Sequence, residues 1–437
     1  MRNNITFCIA SAKNEKEYTK LLIKSLTENT KIEDHEILVF IDSDNQNTYE
    51  DLLEIKKTLT NLKVHRNTKK FPVGGQRNVS IMFNAAANDI VCYLQSDMVA
   101  GKNLDKYILE SITENSVVCC TRIEPPVHPD GPEKIVENFG FDTNDFQYGA
   151  FQDFVAELQS KDKPNTLGHF APFAVHKKTW FDKLGGFDTQ FRCSREDSDT
   201  ILRMRLNNID MIQSWKAYVY HFTCVSSRGK DWFRPQKDKN IEYQNQLQVL
   251  ADEEELKRYV RKWGFFGHEP QPIYNIGMHI EIDKFVNFQI LEFIEVYVKT
   301  LYLNSPEITE ELKRRIVFNA EYYSNLRWNY STEYWNNVKY LFNQDDFVDH
   351  IQYAKNDENL KNDIIISAKY SEIEENFDKD LSSFIASLNS YVHQKPLGVY
   401  PIFPFNVKIK NKIDMSNLYK KVKNTDILLD SDEFVFS

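Results

Sequence analysis

Over the first ~125 residues, short apolar runs alternate with amphipathic stretches. Ile5–Ala10, Glu36–Asp42, Asp89–Gln95 and Ser116–Thr121 are apolar segments of strand length. Between them, Glu15–Glu28, Thr48–Leu59, Gly75–Ala87 and Leu104–Glu114 carry apolar residues at helical spacing. Strands alternating with helices build a mainly parallel sheet. Ligands of such sheets bind outside the carboxyl ends of the strands, and those ends carry Ser11–Glu15, Asp42–Asp44 and Gln95–Asp97.

The rhythm loosens from Glu124 to Gly168, where Pro125, Pro126, Pro129, Gly131 and Pro132 fall together and a helix-like Phe151–Ser160 follows. A long active-site loop is expected there. Regular structure resumes with Phe170–Val175, a helix at Lys177–Leu184, a turn at Gly185–Gly186, a helix at Ser194–Asn207 and a strand at Ala217–His221. These close a first domain, 1–229. A helical arm at 230–270 is charged from Lys230 to Lys262, after which Gly264, Gly267, Pro270 and Pro272 mark a boundary. Ile280–Phe347 reads as several helices, giving a helical domain at 271–358. In 359–437, Asp363–Ala368 and Tyr400–Lys408 read as strands flanking a helix Phe377–Val392, a small α/β module. The expected fold is therefore α/β, with a mostly helical region and a small α/β appendage behind the first domain.

Composition narrows the classes. The chain has 437 residues, which exceeds a single core of roughly 250–300 residues. Lys+Arg of 54 against Asp+Glu of 64 gives a formal charge of −10, without the basic footprint of a nucleic-acid coat. The most apolar long stretch, Val286–Leu303, is interrupted by Glu292, Glu295 and Lys299, so it reads as an amphipathic helix and not a membrane span. The apolar run Ile5–Ala10 is followed at once by Lys13, Asn14 and Glu15, the pattern of a strand and not of a signal peptide. Cys8, Cys92, Cys119, Cys120, Cys193 and Cys224 show no C-x-x-C spacing and sit in apolar segments. Free thiols in a reducing, cytoplasmic compartment are expected.

Candidate chemistry gathers at element ends. Asp97 follows an apolar strand, where a carboxylate can hold a divalent cation against a diphosphate; the plainer reading is a turn residue or helix cap. Ser194–Arg195–Glu196–Asp197–Ser198–Asp199 opens a helix. Acidic residues in a first turn are ordinarily explained by capping and the helix dipole, which accounts for Asp199 better than for the Glu196–Asp197 pair. One of that pair, facing a cleft, can accept a proton from an attacking hydroxyl. His221 ends a strand before a polar loop; it is either a structural histidine or a metal ligand beside Asp97.

Taken in order, these segments resemble the inverting glycosyltransferases of family 2, with a GT-A fold, over residues 1 to ~229. Ser11–Ala12–Lys13–Asn14–Glu15 resembles the P-x-Y-N-E segment after the first strand, without its proline and tyrosine. Ile41–Asp42–Ser43–Asp44 looks like the D-D-G-S segment, which implies that Asp42 contacts the nucleobase. Gly74–Gly75–Gln76–Arg77–Asn78 resembles G-x-x-x-A-R-N and places Arg77 near the donor phosphates. Gln95–Ser96–Asp97 stands where the family has D-x-D: the last aspartate is kept as Asp97, while Gln95 offers an uncharged amide oxygen. Gly185–Gly186–Phe187–Asp188, Glu196–Asp197 and Arg203 are similar to G-G-F-D followed by E-D-x-D-L-x-x-R, which makes Asp197 the catalytic base. His221, Ser226, Ser227 and Arg228 match the H-x-x-x-x-S tail that closes the donor site.

The resemblance implies Mn²⁺ or Mg²⁺ held by Asp97, His221 and Gln95. A nucleoside diphosphate sugar, with UDP the commonest carrier, would be bound by Ser11, Ala12, Asn14, Glu15, Asp42, Arg77, Ser96 and Arg228. Asp197 and Glu196 would act in transfer to an acceptor hydroxyl, on a glycan or another acceptor. The competing expectation is a degenerate GT-A domain that binds a nucleotide sugar or glycan without chemistry, as the missing first aspartate suggests. A nucleotidyltransferase ranks last, because Ser11–Glu15 holds no glycine for a phosphate loop. The C-terminal half is expected to serve packing and homo-oligomerisation. The sharper alternative there is acceptor or partner binding through Tyr322, Tyr323, Trp328 and Trp335.

Overall fold

The protein is described by a computed structural model covering residues 4–12, 14–42, 44–68, 75–128, 130–169, 171–188, 195–223, 225, 259, 262–263, 275–328, 348–377, 392, 394–411 and 434–436, with backbone only at 75–77, 319–328 and 434–436. It divides into two compact units, 1–237 with 420–437, and 238–419.

In the first unit every early strand is buried on both faces. β1 (Ile5–Ser11) sends Ile5, Phe7 and Ile9 to one side and Cys8 to the other, and β2 (Glu36–Ile41) splits Ile37, Val39 and Ile41 from Leu38 and Phe40 in the same way. The first face packs on α1 (Lys16–Asn29), α2 (Thr48–Lys56) and α4 (Leu104–Ser111) through Leu22, Leu26, Leu52 and Ile108. The second packs on α3 (Gly75–Ala85) and α6 (Glu196–Leu206) through Val79, Phe83, Ile201 and Met204. A sheet covered on both faces needs such apolar strands.

The remaining strands of this sheet are β3 (Leu62–Asn67), β4 (Ile90–Gln95), β5 (Met98–Ala100), β6 (Ser116–Glu124), β7 (Lys134–Val136), β8 (Thr166–Leu167), β9 (Phe173–His176), β10 (Asp210–His221) and β17 (Phe434–Phe436). Their order is β17-β3-β2-β1-β4-β9-β6-β10-β5, with β7 on β6 and β8 on β10. β1 is parallel to β2 on one side and to β4 on the other, so the winding reverses between β1 and β4. That reversal opens a crevice at the carboxyl edge. This is the α/β arrangement that the GT-A resemblance implies, with antiparallel β9 and β5 added.

Some expected elements change. β3 carries Lys63, His65 and Arg66 between its apolar residues, so it does not stand out as a strand in sequence. The expected loop 124–168 contains β7 and α5 (Tyr148–Ser160), the latter anchored by Gln152 Nε2 donating to Ala100 O at 2.8 Å. The helix at Lys177–Leu184 is a π-helical turn at Thr179–Leu184, and the strand ending at His221 begins already at Asp210. Gly185 and Gly186 have φ of 72° and 81°, the left-handed region that a side chain would strain. The turn is locked by Arg203, 1% exposed, whose Nη1 donates to Leu184 O and Gly186 O while Nε donates to Asp199 at 2.8 Å.

The second unit holds a separate sheet in the order β13-β12-β11-β14-β16-β15. Its strands are β11 (Ile276–Glu281), β12 (Thr300–Leu303), β13 (Ile351–Tyr353), β14 (Ile364–Lys369), β15 (Gly398–Ile402) and β16 (Phe405–Ile409). The first four run parallel and the last two form a hairpin. Helices Phe288–Ile294 and Pro306–Trp328 cover one face through Ile290, Leu291, Ile294, Leu312 and Ile316. Strands on both sides of residue 358 thus share one sheet, and β11 and β12 occupy part of the stretch read as helical. The amphipathic helix expected over Val286–Leu303 ends at Ile294, a 3₁₀ turn follows, and Thr300–Leu303 is a strand. A short apolar run such as Thr300–Leu303 does not distinguish strand from buried helix by periodicity. The expected helix Phe377–Val392 and Trp335 lie almost wholly outside the described residues, as do the arm 230–270 and Cys193 and Cys224. Among the described residues Cys8, Cys92, Cys119 and Cys120 are free and buried, and no helix is long and apolar enough to cross a membrane.

Two stability predictions follow from buried charge. Asp199→Ala strands the Arg203 guanidinium in the core and is expected to cost about 3–5 kcal/mol in denaturant unfolding; a loss below about 1 kcal/mol would contradict the structural role of this pair. His65, 4% exposed, is lowered from 6.5 to about 4, first by burial and then by Lys63. Its folded pKa lies below the unfolded one, so stability is full above pH 6.5 and falls as pH drops toward 4, by at most about 3 kcal/mol. His65→Phe should flatten that slope, and an unchanged slope would refute it.

Candidate active site

The carboxyl ends of β1, β2, β4, β6 and β10 meet at one edge. Next to the β1/β4 crevice, Glu15, 3% exposed, ties two of them together: its Oε2 accepts Ala12 N and Ser96 Oγ, both at 2.7 Å. Ser11 turns its hydroxyl to Thr19 Oγ1 at 2.8 Å, so its side chain serves α1. Asn14 adopts φ of 66° and exchanges hydrogen bonds with Asn45. At the end of β2, Asp42 accepts from Asn67 Nδ2 at 3.1 Å. Asp44 instead caps α2: burial raises its carboxyl, but hydrogen bonds from Gln46, Tyr49 and Thr48 outweigh this and hold it below the usual range.

β5 runs antiparallel to β10 with Met98 opposite His221, and Phe222 N donates to Asp97 O at 3.0 Å. This brings Asp97 Oδ1 to 3.6 Å from His221 Nε2, both residues buried. On its other side His221 Nδ1 lies 2.7 Å from Glu124 Oε1, and Lys134 Nζ donates to Glu124 Oε2 at 2.9 Å. Burial would raise the Glu124 carboxyl, yet His221, Arg122 and Lys134 together hold it far below the carboxylate range.

Gln95 ends β4, paired with Ala10 of β1. The Tyr93 phenol is pushed well above its ordinary value by burial, then by the negative charges of Glu196 and Asp97. Tyr18 is raised similarly, by burial and then by Asp142, Asp97 and Asp145. Asp197 opens α6 with its Oδ1 on Ser198 N at 2.6 Å. Arg77 lies on α3, with only its backbone described, and Ser226, Ser227 and Arg228 lie outside the described residues.

The geometry therefore joins Ala12, Glu15 and Ser96, sets Asp97 beside His221, and gives Ser11 and Asp199 structural partners. Glu124, Lys134, Tyr93 and Asn67 are additions. Glu124 had a usable signal, as the last residue of an apolar strand parallel to the one that His221 ends.

A divalent cation fits these residues. With Nδ1 facing Glu124, His221 turns its Nε2 toward the Asp97 carboxylate, so a cation between them would find a ring nitrogen and a carboxylate oxygen as ligands. Among the described residues no group of three or more His, Cys, Asp or Glu is placed to hold a metal. Magnesium-class ions that bridge phosphates need only one or two protein ligands.

Residues 8–185 match the model of Glycosyl transferase family 2. No curated protein matches the chain. Solved structures similar to it include TarS of S. aureus, at 15% identity over 59% of this chain and 43% of that one, with a TM-score of 0.36. The mannosyltransferase PcManGT from Pyrobaculum calidifontis, in complex with GDP-Man and Mn²⁺, is 16% identical over 56% and 63%, with a TM-score of 0.36. GalNAc-T7 with UDP, GalNAc and Mn²⁺ is 14% identical over 59% and 51%, with a TM-score of 0.39. The chain thus spans less than two thirds of each of these proteins. Over residues 8–185, this chain is similar to the glycosyl transferases of family 2.

Proposed function

We propose that the chain transfers a sugar from a nucleoside diphosphate sugar to an acceptor hydroxyl with inversion at the anomeric carbon. The observation that carries this reading is the buried pair Asp97–His221, 3.6 Å apart at the carboxyl edge beside the β1/β4 crevice. Asp97 and His221 would hold Mn²⁺ or Mg²⁺, with the Gln95 amide as a neutral third donor. When bound, such a cation neutralises charge on the diphosphate as it leaves. Asp42, steadied by Asn67, would meet the nucleobase, with UDP the first carrier to try. Ala12, Asn14, Glu15 and Ser96 would shape the donor wall, and Arg77 and Arg228 would face its phosphates.

In the reaction the acceptor oxygen bonds to the anomeric carbon from the face opposite the diphosphate. The glycosidic oxygen leaves with the bonding electrons, and the acceptor proton passes to Asp197. Glu196 is the other carboxylate within the same helix start. A glycan is the favoured acceptor.

A second reading is favoured by one observation: Gln95 brings no charge where a second carboxylate would strengthen cation binding. A domain that binds a nucleotide sugar without turning it over would be the result.

Asp197→Asn is expected to lower transfer by about 10²- to 10⁴-fold while donor binding stays within twofold. Glu196→Gln is the companion variant. Should it carry the loss while Asp197→Asn keeps near-normal turnover, the base is Glu196 and the assignment to Asp197 is wrong. Transfer undetectable in the wild-type chain across nucleoside diphosphate sugars and glycan acceptors would support the binding-only reading.

A further inference from the structure

Glu124 is the most constrained carboxylate at this edge, and the transfer step does not use it. It ends β6 at 2% exposure, with Oε1 facing His221 Nδ1 at 2.7 Å, Oε2 accepting Lys134 Nζ at 2.9 Å, and Arg122 Nη1 3.4 Å from Oε1. Lysine and arginine on the same carboxyl keep it an acceptor only, so the ring nitrogen facing it must be the one that bears hydrogen. Nε2, on the other side of the ring, faces Asp97 Oδ1 at 3.6 Å.

We propose that Glu124 is the positioning residue of the cation site, holding His221 in its Nδ1–H tautomer so that Nε2 is presented to a divalent cation shared with Asp97. The proposal rests on the reading of Asp97 and His221 as the cation's ligands. Its backbone basis is register: β6 and β10 are parallel neighbours with Ile123 opposite Tyr220, so Glu124 and His221 are the next residues along each strand. Met98 opposite His221 on the far side brings Asp97 to the same ring. Glu124 and His221 end neighbouring strands, and Asp97 sits in the tight turn directly before β5, where Phe222 N donates to its carbonyl. A carboxylate behind a ligating imidazole fixes the ring's orientation and raises its basicity, and losing it ordinarily lowers metal affinity about 10- to 100-fold.

The amide in Glu124→Gln separates this role from simple packing. Lys134 would draw the amide oxygen and leave the NH₂ against Nδ1, which favours the tautomer protonated on Nε2, the one that cannot ligate. Lys134 and Arg122 remain buried beside a group of the same shape.

The test is an EPR titration of the full chain with Mn²⁺ alone, following loss of the free-ion signal and the nitrogen hyperfine coupling of the bound ion. His221→Ala is expected to abolish that coupling and weaken binding. Glu124→Gln is expected to weaken Mn²⁺ binding about 10- to 100-fold and to reduce the coupling. Glu124→Asp keeps the charge but loses reach; it is expected to fall between Gln and wild type, and it serves alone if the amide variant does not fold. Binding within twofold of wild type in the folded Glu124 variants, with His221→Ala defective, overturns the role of Glu124 and leaves the ligand reading standing. Mn²⁺ binding that His221→Ala does not weaken overturns the ligand reading and this proposal together.

Discussion

The pairing of β10 between β6 and β5 is the constraint on which the candidate site depends. Parallel register with β6 puts His221 beside Glu124, and antiparallel register with β5 puts it beside Asp97. A slip of one residue in either ladder would turn His221 to the other face of the sheet. β10 is long and irregular, with a register shift between Ser214 and Tyr218. Such a bulge re-aims the residues beyond it, a device common next to active sites.

Around that pairing, several buried charges are tied to partners. Arg203 and Asp199 are spent on the Gly185–Gly186 turn and the start of α6, which sets where Glu196 and Asp197 emerge. Lys134 and Arg122 are committed to Glu124. Glu15 fastens the ends of β1 and β4 through Ala12 and Ser96. Asp142 and Asp145 are tied into their own loop, accepting from Asn144 N and from Phe141 N and Asp142 N.

Much of this edge was legible in the sequence because strands buried on both faces leave continuous apolar runs, and the polar residues that end them stand out. Asp97 and His221 could be paired by that logic, since each follows such a run. Asp199 was readable as structural from its place in a first helical turn. Glu124 was not singled out, since the proline-rich stretch behind it obscured that it closes a strand. β3 was missed because Lys63, His65 and Arg66 hide its apolar positions, and with it Asn67, the partner of Asp42. In the second unit, Thr300–Leu303 was too short for periodicity to decide. Parallel neighbours supplied by residues far apart in sequence settled it as a strand.

The central claim is that Asp97 and His221 bind a nucleoside diphosphate sugar through a divalent cation. A calorimetric titration of UDP and GDP into the full chain, with and without Mn²⁺ and repeated on Asp97→Ala, tests it most directly. The account predicts binding of one nucleotide that needs Mn²⁺ and disappears in the variant. Equal binding without metal, undiminished binding in Asp97→Ala, or no binding of any nucleoside diphosphate with any divalent cation would contradict it.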